Sequence, residues 1–211
     1  MSAPREPRQE RSRATRRRLL EAAVACIAEL GLSGTTVAVI AQRAGVSRGA
    51  AQHHFRTRED LVTAAVEHMG EVQVAELRRR AEGLPPGESR IQPVVDMLLD
   101  LYTGPMFRAA LHLWVVASTD DALRAALVPL EAQVGREAHR TALELLGVNE
   151  SHRGVRELVQ STLDLARGLG LASLLTDDTR RRRKIARRWA RVLGRELPNP
   201  GGGPRVLTNV Q

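Results

Sequence analysis

Apolar residues recur at the spacing of an α-helix in successive segments of this chain, and no stretch shows the alternation typical of a strand. The apolar fraction is 43%, but aromatic residues make up only 2%, so the core must consist mainly of Leu, Val and Ala. Ala and Leu favour helices over sheets. We therefore predict an all-α fold of about nine helices, with enough residues for a sizeable core.

Breaks in this pattern divide the chain into four parts. Residues 1–12 are rich in Pro and Arg and predict a disordered basic arm, and residues 198–211 contain a Pro-Gly run that predicts a flexible tail. Between them we predict a small three-helix domain over 13–60 and a larger helical domain over 61–197, with a connecting helix at about 58–81. The later helices are predicted at 90–103, 105–118, 120–147, 151–175 and 178–195, with Pro129 kinking or dividing the third of these.

Positive charge is concentrated near the start of the sequence. The net charge is +8, and residues 1–58, with eleven arginines and four glutamates, account for +7 of it. A local excess of this kind is an electrostatic footprint for a polyanion, and nucleic acid is the first candidate.

The segment TVAVIAQRAGVSRGAAQHHF (36–55) has the layout of a helix-turn-helix unit. Thr36 and Ser47 are placed to cap two short helices, and Gly45 can adopt the positive φ of a tight turn. Ala41 is small where the second helix crosses, while Gly49 and Ala50 leave the start of that helix free of bulk. Phe55 follows as an apolar anchor.

With its flanks, this segment resembles the TetR family of bacterial transcriptional regulators over about residues 16–69. The positions that fit the family pattern are Thr36, Ile40, Ala41, Ala44, Gly45, Val46, Ser47, Gly49, His54, Phe55, Thr57, Glu59 and Leu61. Five positions depart from it: Gln52 stands where the family usually has Tyr, Ala51 where it has a bulkier apolar residue, Arg58 where it has Lys, and Val37 and Ala38 where it has more polar residues.

The resemblance and the helix geometry together nominate residues for contact with a double-stranded DNA operator. Arg48 is the candidate for bidentate contact with guanine, and Gln52, one turn later, for adenine or a phosphate. The full set of predicted DNA contacts is Arg16, Arg17, Thr36, Ser47, Arg48, Gly49, Ala50, Gln52, His53, His54, Thr57 and Arg58. The hydroxyls in this set have an alternative role as helix caps, and Arg43 is as readily a solvated charge as a contact.

No other chemistry is indicated by the sequence. The adjacent His53 and His54 point about 100° apart on a helix, so they do not share a metal ion easily, and we predict no metal and no cofactor. Gly-rich phosphate loops, Cys clusters and nucleophile elbows are absent from the sequence, which argues against an enzyme. The single Cys26, the lack of a long apolar run and the lack of a secretory signal predict a cytoplasmic protein with no membrane partner. The resemblance implies that it is bacterial and nucleoid-associated when bound to DNA.

For the second half, the resemblance implies a homodimer and a small-molecule effector. The Met and aromatic residues of 97–115 suggest a largely hydrophobic ligand, with the pocket lined by Met97, Leu101, Tyr102, Met106, Phe107, Leu111, Trp114 and Val115. The predicted dimer interface, in the last two helices, includes Leu158, Leu165, Leu169 and Trp189. The expected function is a repressor that binds a palindromic operator and is released by the ligand. A helix-turn-helix DNA binder without small-molecule input is the alternative.

A second basic run, at 179–197, alternates with apolar residues at helical spacing. We interpret its arginines as the solvent-exposed face of a helix whose apolar face is packed against the protein. A second nucleic-acid surface is the alternative interpretation, and the sequence does not decide between them.

Overall fold

The computed structural model describes residues 6–83 and 90–198, without the side chains of residues 6–8, 73, 74, 77, 80 and 81. Within these residues it contains nine α-helices and no strand, which confirms the all-α prediction. The helices are α1 (Glu6–Gly34), α2 (Val37–Ala44), α3 (Arg48–His54), α4 (Arg58–Ala81), α5 (Ile91–Leu101), α6 (Pro105–Ala117), α7 (Asp121–Leu146), α8 (Val155–Ala172) and α9 (Thr179–Glu196). Of the helices described, none combines the length and apolar character that a membrane span needs.

The chain forms two compact units whose boundaries differ from the predicted domains. Unit 1 runs to Glu71 and also takes in Pro105–Ala132, whereas unit 2 comprises Val72–Gly104 and the chain from Gln133 onward. The first unit continues past the predicted boundary at residue 60 to Glu71, and α6, which lies within the predicted second domain, packs on α1 and joins the first unit. Neither a composition shift nor a turn signal in the sequence indicates such a contact between distant helices.

Unit 1 has an aliphatic core in which α1 is the central element. Leu19 and Ile27 of α1, Ile40 of α2, Leu61 of α4 and Leu113 of α6 are all fully buried. Each buried side chain of this size contributes about 1.5–3 kcal/mol relative to exposure. The small helices α2 and α3 bury little area of their own, so their position depends on this shared core.

The start of α1 differs from the sequence prediction. Residues 6–12, predicted as part of a disordered arm, form the first turns of the helix. Near the C-terminus of α1 the helical dihedrals are interrupted at Gly31 (φ 67°, ψ 177°). The hydroxyl of Thr35 then donates to the carbonyl oxygen of Gly31 at 2.7 Å, which closes the connection to α2.

In unit 2, α5 packs against both α8 and α9. The side chains of Val94 and Leu98 on α5, Val155 on α8 and Leu193 on α9 are fully buried there. The indole N–H of Trp189 on α9 donates to the hydroxyl of Thr162 on α8 at 2.9 Å. One face of α9 is therefore fixed by apolar packing and by a directed hydrogen bond.

The later part of the chain bears on two further predictions. Pro129 does not divide α7, which continues as one helix from Asp121 to Leu146. The flexible tail predicted for 198–211 lies outside the described residues except for Pro198.

Candidate nucleic-acid interface

The turn between α2 and α3 has the geometry that the sequence predicts. Gly45 adopts a left-handed conformation (φ 64°, ψ 39°), and its N–H donates to the carbonyl of Gln42 at 3.1 Å. The N–H of Val46 donates to the carbonyl of Ala41 at 3.0 Å. A residue with a side chain would be strained at position 45, because positive φ is readily reached only by glycine. The turn thus fixes the angle at which α3 leaves α2.

Helix α3 has one buried side and one exposed side. Ala51 is fully buried, and Phe55, which caps the helix, is 5% exposed. Both belong to the same core cluster as Ile40 and Ala41 of α2. The small size of Ala51, which departs from the family pattern, is accommodated in this close packing.

Four of the predicted DNA contacts lie together on the exposed side of α3. Arg48, Gly49, Gln52 and His53 are all exposed, and helical spacing places Gln52 only about 40° around the axis from Arg48. A Cβ added at Gly49 would meet no other atom within 4 Å, so the backbone there is open to approach. The structure therefore groups the four residues on one accessible surface.

The three hydroxyls predicted to contact phosphate all cap helices. The side chain of Thr36 accepts a hydrogen bond from the N–H of Val39 at 3.2 Å, and Ser47 accepts one from the N–H of Ala50 at 3.2 Å. Thr57 and Asp60 form a reciprocal capping box with distances of 3.0 and 3.1 Å. Each hydroxyl keeps its own proton to donate, so capping and phosphate binding are compatible.

Arg58 has an internal role that the sequence did not predict. Its Nε donates to the carbonyl of Thr35 at 2.8 Å, and its Nη2 donates to the carbonyl of Leu32. The guanidinium at the start of α4 thus holds the connection between α1 and α2. Nε and Nη2 are thus engaged within the protein, so the phosphate contact predicted for Arg58 would have to use its remaining N–H groups.

Charged side chains of α1 lie around the same region. The guanidinium of Arg16 lies 5.4 Å from the centre of the Phe55 ring, a cation–π arrangement, and Arg18 donates to the carbonyl of Gly45 at 3.3 Å. Arg17 is exposed and lies 3.9 Å from Glu21. The role of Arg18 was not predicted from the sequence, because only the three-dimensional packing of α1 against the turn reveals it.

Burial and neighbouring charges shift pKa values in this region. Partial burial lowers the pKa of His54, and His53 and Arg16 lower it further. The charged form of His54 is therefore disfavoured. The sequence does not decide whether Arg43 is a solvated charge or a DNA contact. In the structure its guanidinium donates to both carboxylate oxygens of Glu29 at 2.6 Å and lowers the pKa of that carboxyl group.

Comparison with known proteins agrees with this geometry. The family model for bacterial regulatory proteins of the tetR family matches residues 19–65. The HTH-type transcriptional regulator CymR of Pseudomonas putida is 32% identical over 191 residues, covering 88% of this chain and 92% of that protein. This chain belongs to the TetR family.

Solved structures with the same fold have lower sequence identity. A putative transcriptional regulator from Pseudomonas aeruginosa PAO1 matches with a TM-score of 0.63 at 23% identity, covering 91% of this chain and 94% of that one. A putative regulator from Saccharomonospora viridis, solved in complex with choline, matches with a TM-score of 0.63 at 18% identity, covering 86% and 96%. Members of the TetR family are DNA-binding transcriptional regulators and not enzymes.

The predicted ligand-pocket residues of this TetR-family protein are distributed over both units. In unit 2, Met97 and Tyr102 are buried, and the guanidinium of Arg167 lies 5.5 Å from the centre of the Tyr102 ring. Leu101 is half-buried. These three residues share the unit with the buried face of α5.

The remaining pocket residues belong to α6 in unit 1. Phe107 is buried and meets Trp114 edge to face, with ring centres 6.1 Å apart. The indole N–H of Trp114 donates to Glu131 at 2.8 Å, while Met106 and Leu111 are half-buried. Val115 is 70% exposed and does not fit the prediction that it lines an enclosed pocket.

The predicted dimer residues differ in how much surface they offer to a partner. Leu158, Leu165 and Trp189 are half-buried, but Leu169 is only 5% exposed and packs within its own chain. Three leucines that the sequence prediction did not include are more accessible, one in the last turn of α8 and two just after it. Leu171, Leu174 and Leu175 are 56%, 42% and 94% exposed. The helical period did not identify them, because two of the three lie beyond the last residue of α8.

The internal role of Arg58 leads to a stability prediction. We expect Arg58→Met to lower the free energy of unfolding by about 1–3 kcal/mol, because the carbonyl of Thr35 would lose the Arg58 donor and that of Leu32 would keep only the N–H of Thr35. Urea denaturation without DNA measures the change. Arg48→Met is the control and should stay within about 0.5 kcal/mol, since Arg48 is exposed. Unchanged stability with reduced DNA affinity would instead support the phosphate contact predicted from the sequence.

Proposed function

We propose that this TetR-family regulator is a repressor that binds a palindromic operator as a homodimer and is released by a small, largely hydrophobic ligand. The observation that carries the proposal is the two-sided α3: Ala51 and Phe55 are buried while Arg48 and Gln52 face solvent on one side. A helix fixed by its buried side can present its exposed side to a major groove without reorganisation. The proposal assigns base reading to that exposed side.

Two side chains of α3 provide the proposed base contacts. Arg48 has a fork of donors that matches the O6 and N7 acceptors of guanine, and Gln52 can pair with the N6 and N7 of adenine. A good bidentate pair of this kind contributes about 1–3 kcal/mol of discrimination between bases. Gln52, where relatives usually have Tyr, is the position expected to give this protein its own operator preference.

Phosphate contacts set the register of α3 on the duplex in this proposal. Thr36, Ser47 and Thr57 are exposed hydroxyls at helix starts, and Arg16 and Arg17 add positive charge from α1. His53 and His54 at the end of α3, with Gly49 and Ala50 near its start, complete the proposed surface. Arg58 supports this surface indirectly, because its hydrogen bond to Thr35 holds the connection between α1 and α2.

Dimerisation through α8 and α9 is supported by exposed apolar surface. Leu171 at the end of α8 and Leu174 and Leu175 just after it are accessible to solvent in the single chain. Leucines exposed side by side favour association, because burying them against a second copy removes apolar area from water. Two copies related by a two-fold axis would present two α3 helices to successive major grooves.

The ligand part of the proposal is supported by the apolar and aromatic side chains of α5 and α6. Similarity to the regulator solved with choline is a likeness of fold, so it suggests only that such a fold can hold a small molecule. Helix α4 contributes residues to both units. We propose that the ligand binds more tightly to a conformer in which α4 is tilted. In that conformer the two α3 helices of the dimer no longer match the spacing of the operator.

The assignment of base reading to Arg48 predicts two distinct mutant phenotypes. Arg48→Ala should relax sequence preference at one base of each half-site. Arg17→Ala should weaken binding to all sequences alike and reduce the salt dependence by the equivalent of about one phosphate. Binding-site selection followed by affinity measurement at several salt concentrations separates the two effects. The assignment would be wrong if both variants changed binding in the same way.

The ligand proposal predicts coupling between effector binding and DNA binding. A panel of apolar and aromatic small molecules is screened by calorimetry against the full chain, and each tight binder is then titrated into the operator complex. At least one should lower operator affinity by about 5–150-fold, the usual range of allosteric coupling. If every tight binder left DNA affinity unchanged, the protein would be a helix-turn-helix DNA binder without this input.

A further inference from the structure

Helix α9 carries an excess of positive charge that its surroundings do not neutralise. Arg181 pairs with Asp178 at 3.1 Å, and Arg182 lies 3.8 Å from Asp100. Within residues 6–83 and 90–198, the other cations of the helix have no ion-pair partner at 4 Å or less, and all of them are exposed. We call this set the α9 cationic face: Arg180, Arg183, Lys184, Arg187, Arg188, Arg191 and Arg195.

The seven cations lie on one side of the helix. At 100° per residue they fall within an arc of about 140°, and they extend for about 22 Å along the axis from Arg180 to Arg195. The opposite side is buried through Ala186, Ala190 and Leu193. The cationic face therefore cannot turn inward without unpacking α9 from unit 2.

Helix stability does not account for this arrangement. Like charges three and four residues apart repel each other, and arginines in the first turn oppose the helix dipole. Most acidic residues near the face lie at its first half: Asp177 and Asp178 precede the helix, and Asp96 and Asp100 share a groove of about 370 Å³ with Arg182, Arg183 and Arg187. At the second half, Glu196 ends the helix beside Arg195, but Arg188, Arg191 and Arg195 have no ion-pair partner within 4 Å among the described residues.

We propose that the α9 cationic face binds the phosphate backbone of a second DNA duplex, independently of its sequence. Guanidinium groups match phosphate oxygens geometrically, and six of the seven cations are arginines. The face shares no residue with α3, so one chain would carry a reading surface in unit 1 and a second, sequence-independent surface in unit 2.

Two observations favour duplex DNA over other polyanions. Single-stranded nucleic acid is usually held by stacking of bases on aromatic rings, but Trp189 is half-buried and its N–H is bound to Thr162. A membrane surface usually takes up apolar side chains between its headgroups, yet among the described residues none of the large apolar side chains exposed to solvent belongs to α9. The nearest ones, Leu174 and Leu175, precede the helix.

The test compares two triple variants of the full chain with the same reduction in charge. One is Arg188→Gln, Arg191→Gln and Arg195→Gln in the α9 cationic face. The matched control is Arg136→Gln, Arg153→Gln and Arg156→Gln, three exposed arginines of unit 2 outside that face. Fluorescence anisotropy with a mixed-sequence duplex gives log K against log salt concentration for each protein.

The α9 variant should reduce the magnitude of the salt slope by about 0.9 for each phosphate that the protein no longer neutralises, whereas the control should leave it unchanged. When the original protein is bound at saturation to a duplex on beads, it should also capture a second, labelled duplex from solution. The α9 variant should not capture the second duplex. Replacement of the same three residues by Lys should retain much of the capture, because charge is kept.

Equal slopes and equal capture for the two triple variants would overturn the proposal. Vesicles of equal parts phosphatidylserine and phosphatidylcholine provide the second arm. A different outcome is that the α9 variant loses vesicle binding while its slope of log K for DNA against log salt concentration equals that of the original protein. In that case a lipid surface would be the partner and the proposal would be wrong. If circular dichroism shows reduced helicity in the glutamine triple variant, Arg191→Gln alone is used, with an expected slope change of about 0.9.

Discussion

The arrangement of the DNA-reading region depends on the burial of one side of a seven-residue helix. Helix α3 is too short to be stable alone, since isolated helices below about 12–15 residues are marginal in water. Ala51 and Phe55 fix it against the core formed with Ile40, and the left-handed Gly45 sets its angle to α2. The exposed residues on the other side then have a defined orientation before any DNA is present, so little ordering entropy opposes binding.

Hydrogen bonds from arginine side chains to backbone carbonyls also stabilise the arrangement of these helices. Arg58 on α4 ties the connection between α1 and α2, and Arg18 on α1 reaches the carbonyl of Gly45 in the turn. Both are arginines that a charge count assigns to DNA binding. Their observed partners are backbone carbonyls of the protein itself. Part of the positive charge of unit 1 therefore stabilises the turn and the connection between α1 and α2.

The sequence predicts well what depends on local spacing. Helical periodicity, the caps at Thr36 and Ser47 and the positive φ at Gly45 all follow from interactions within a few residues, and the structure confirms them. It predicts poorly what depends on contacts between distant segments. The assignment of α6 to unit 1, the internal role of Arg58 and the burial of Leu169 arise from such packing. The first turns of α1 were missed because a Pro- and Arg-rich start has no apolar period.

We propose that two copies of α3 read a symmetric operator. Selection of binding sites from a random duplex pool by the purified protein is the sharpest test of this proposal. We expect enrichment of an inverted repeat whose half-site centres are separated by one helical turn, about 34–36 Å, or by a multiple of it. Enrichment of a single unrepeated half-site, or no enrichment of any sequence, would show that the proposal is wrong.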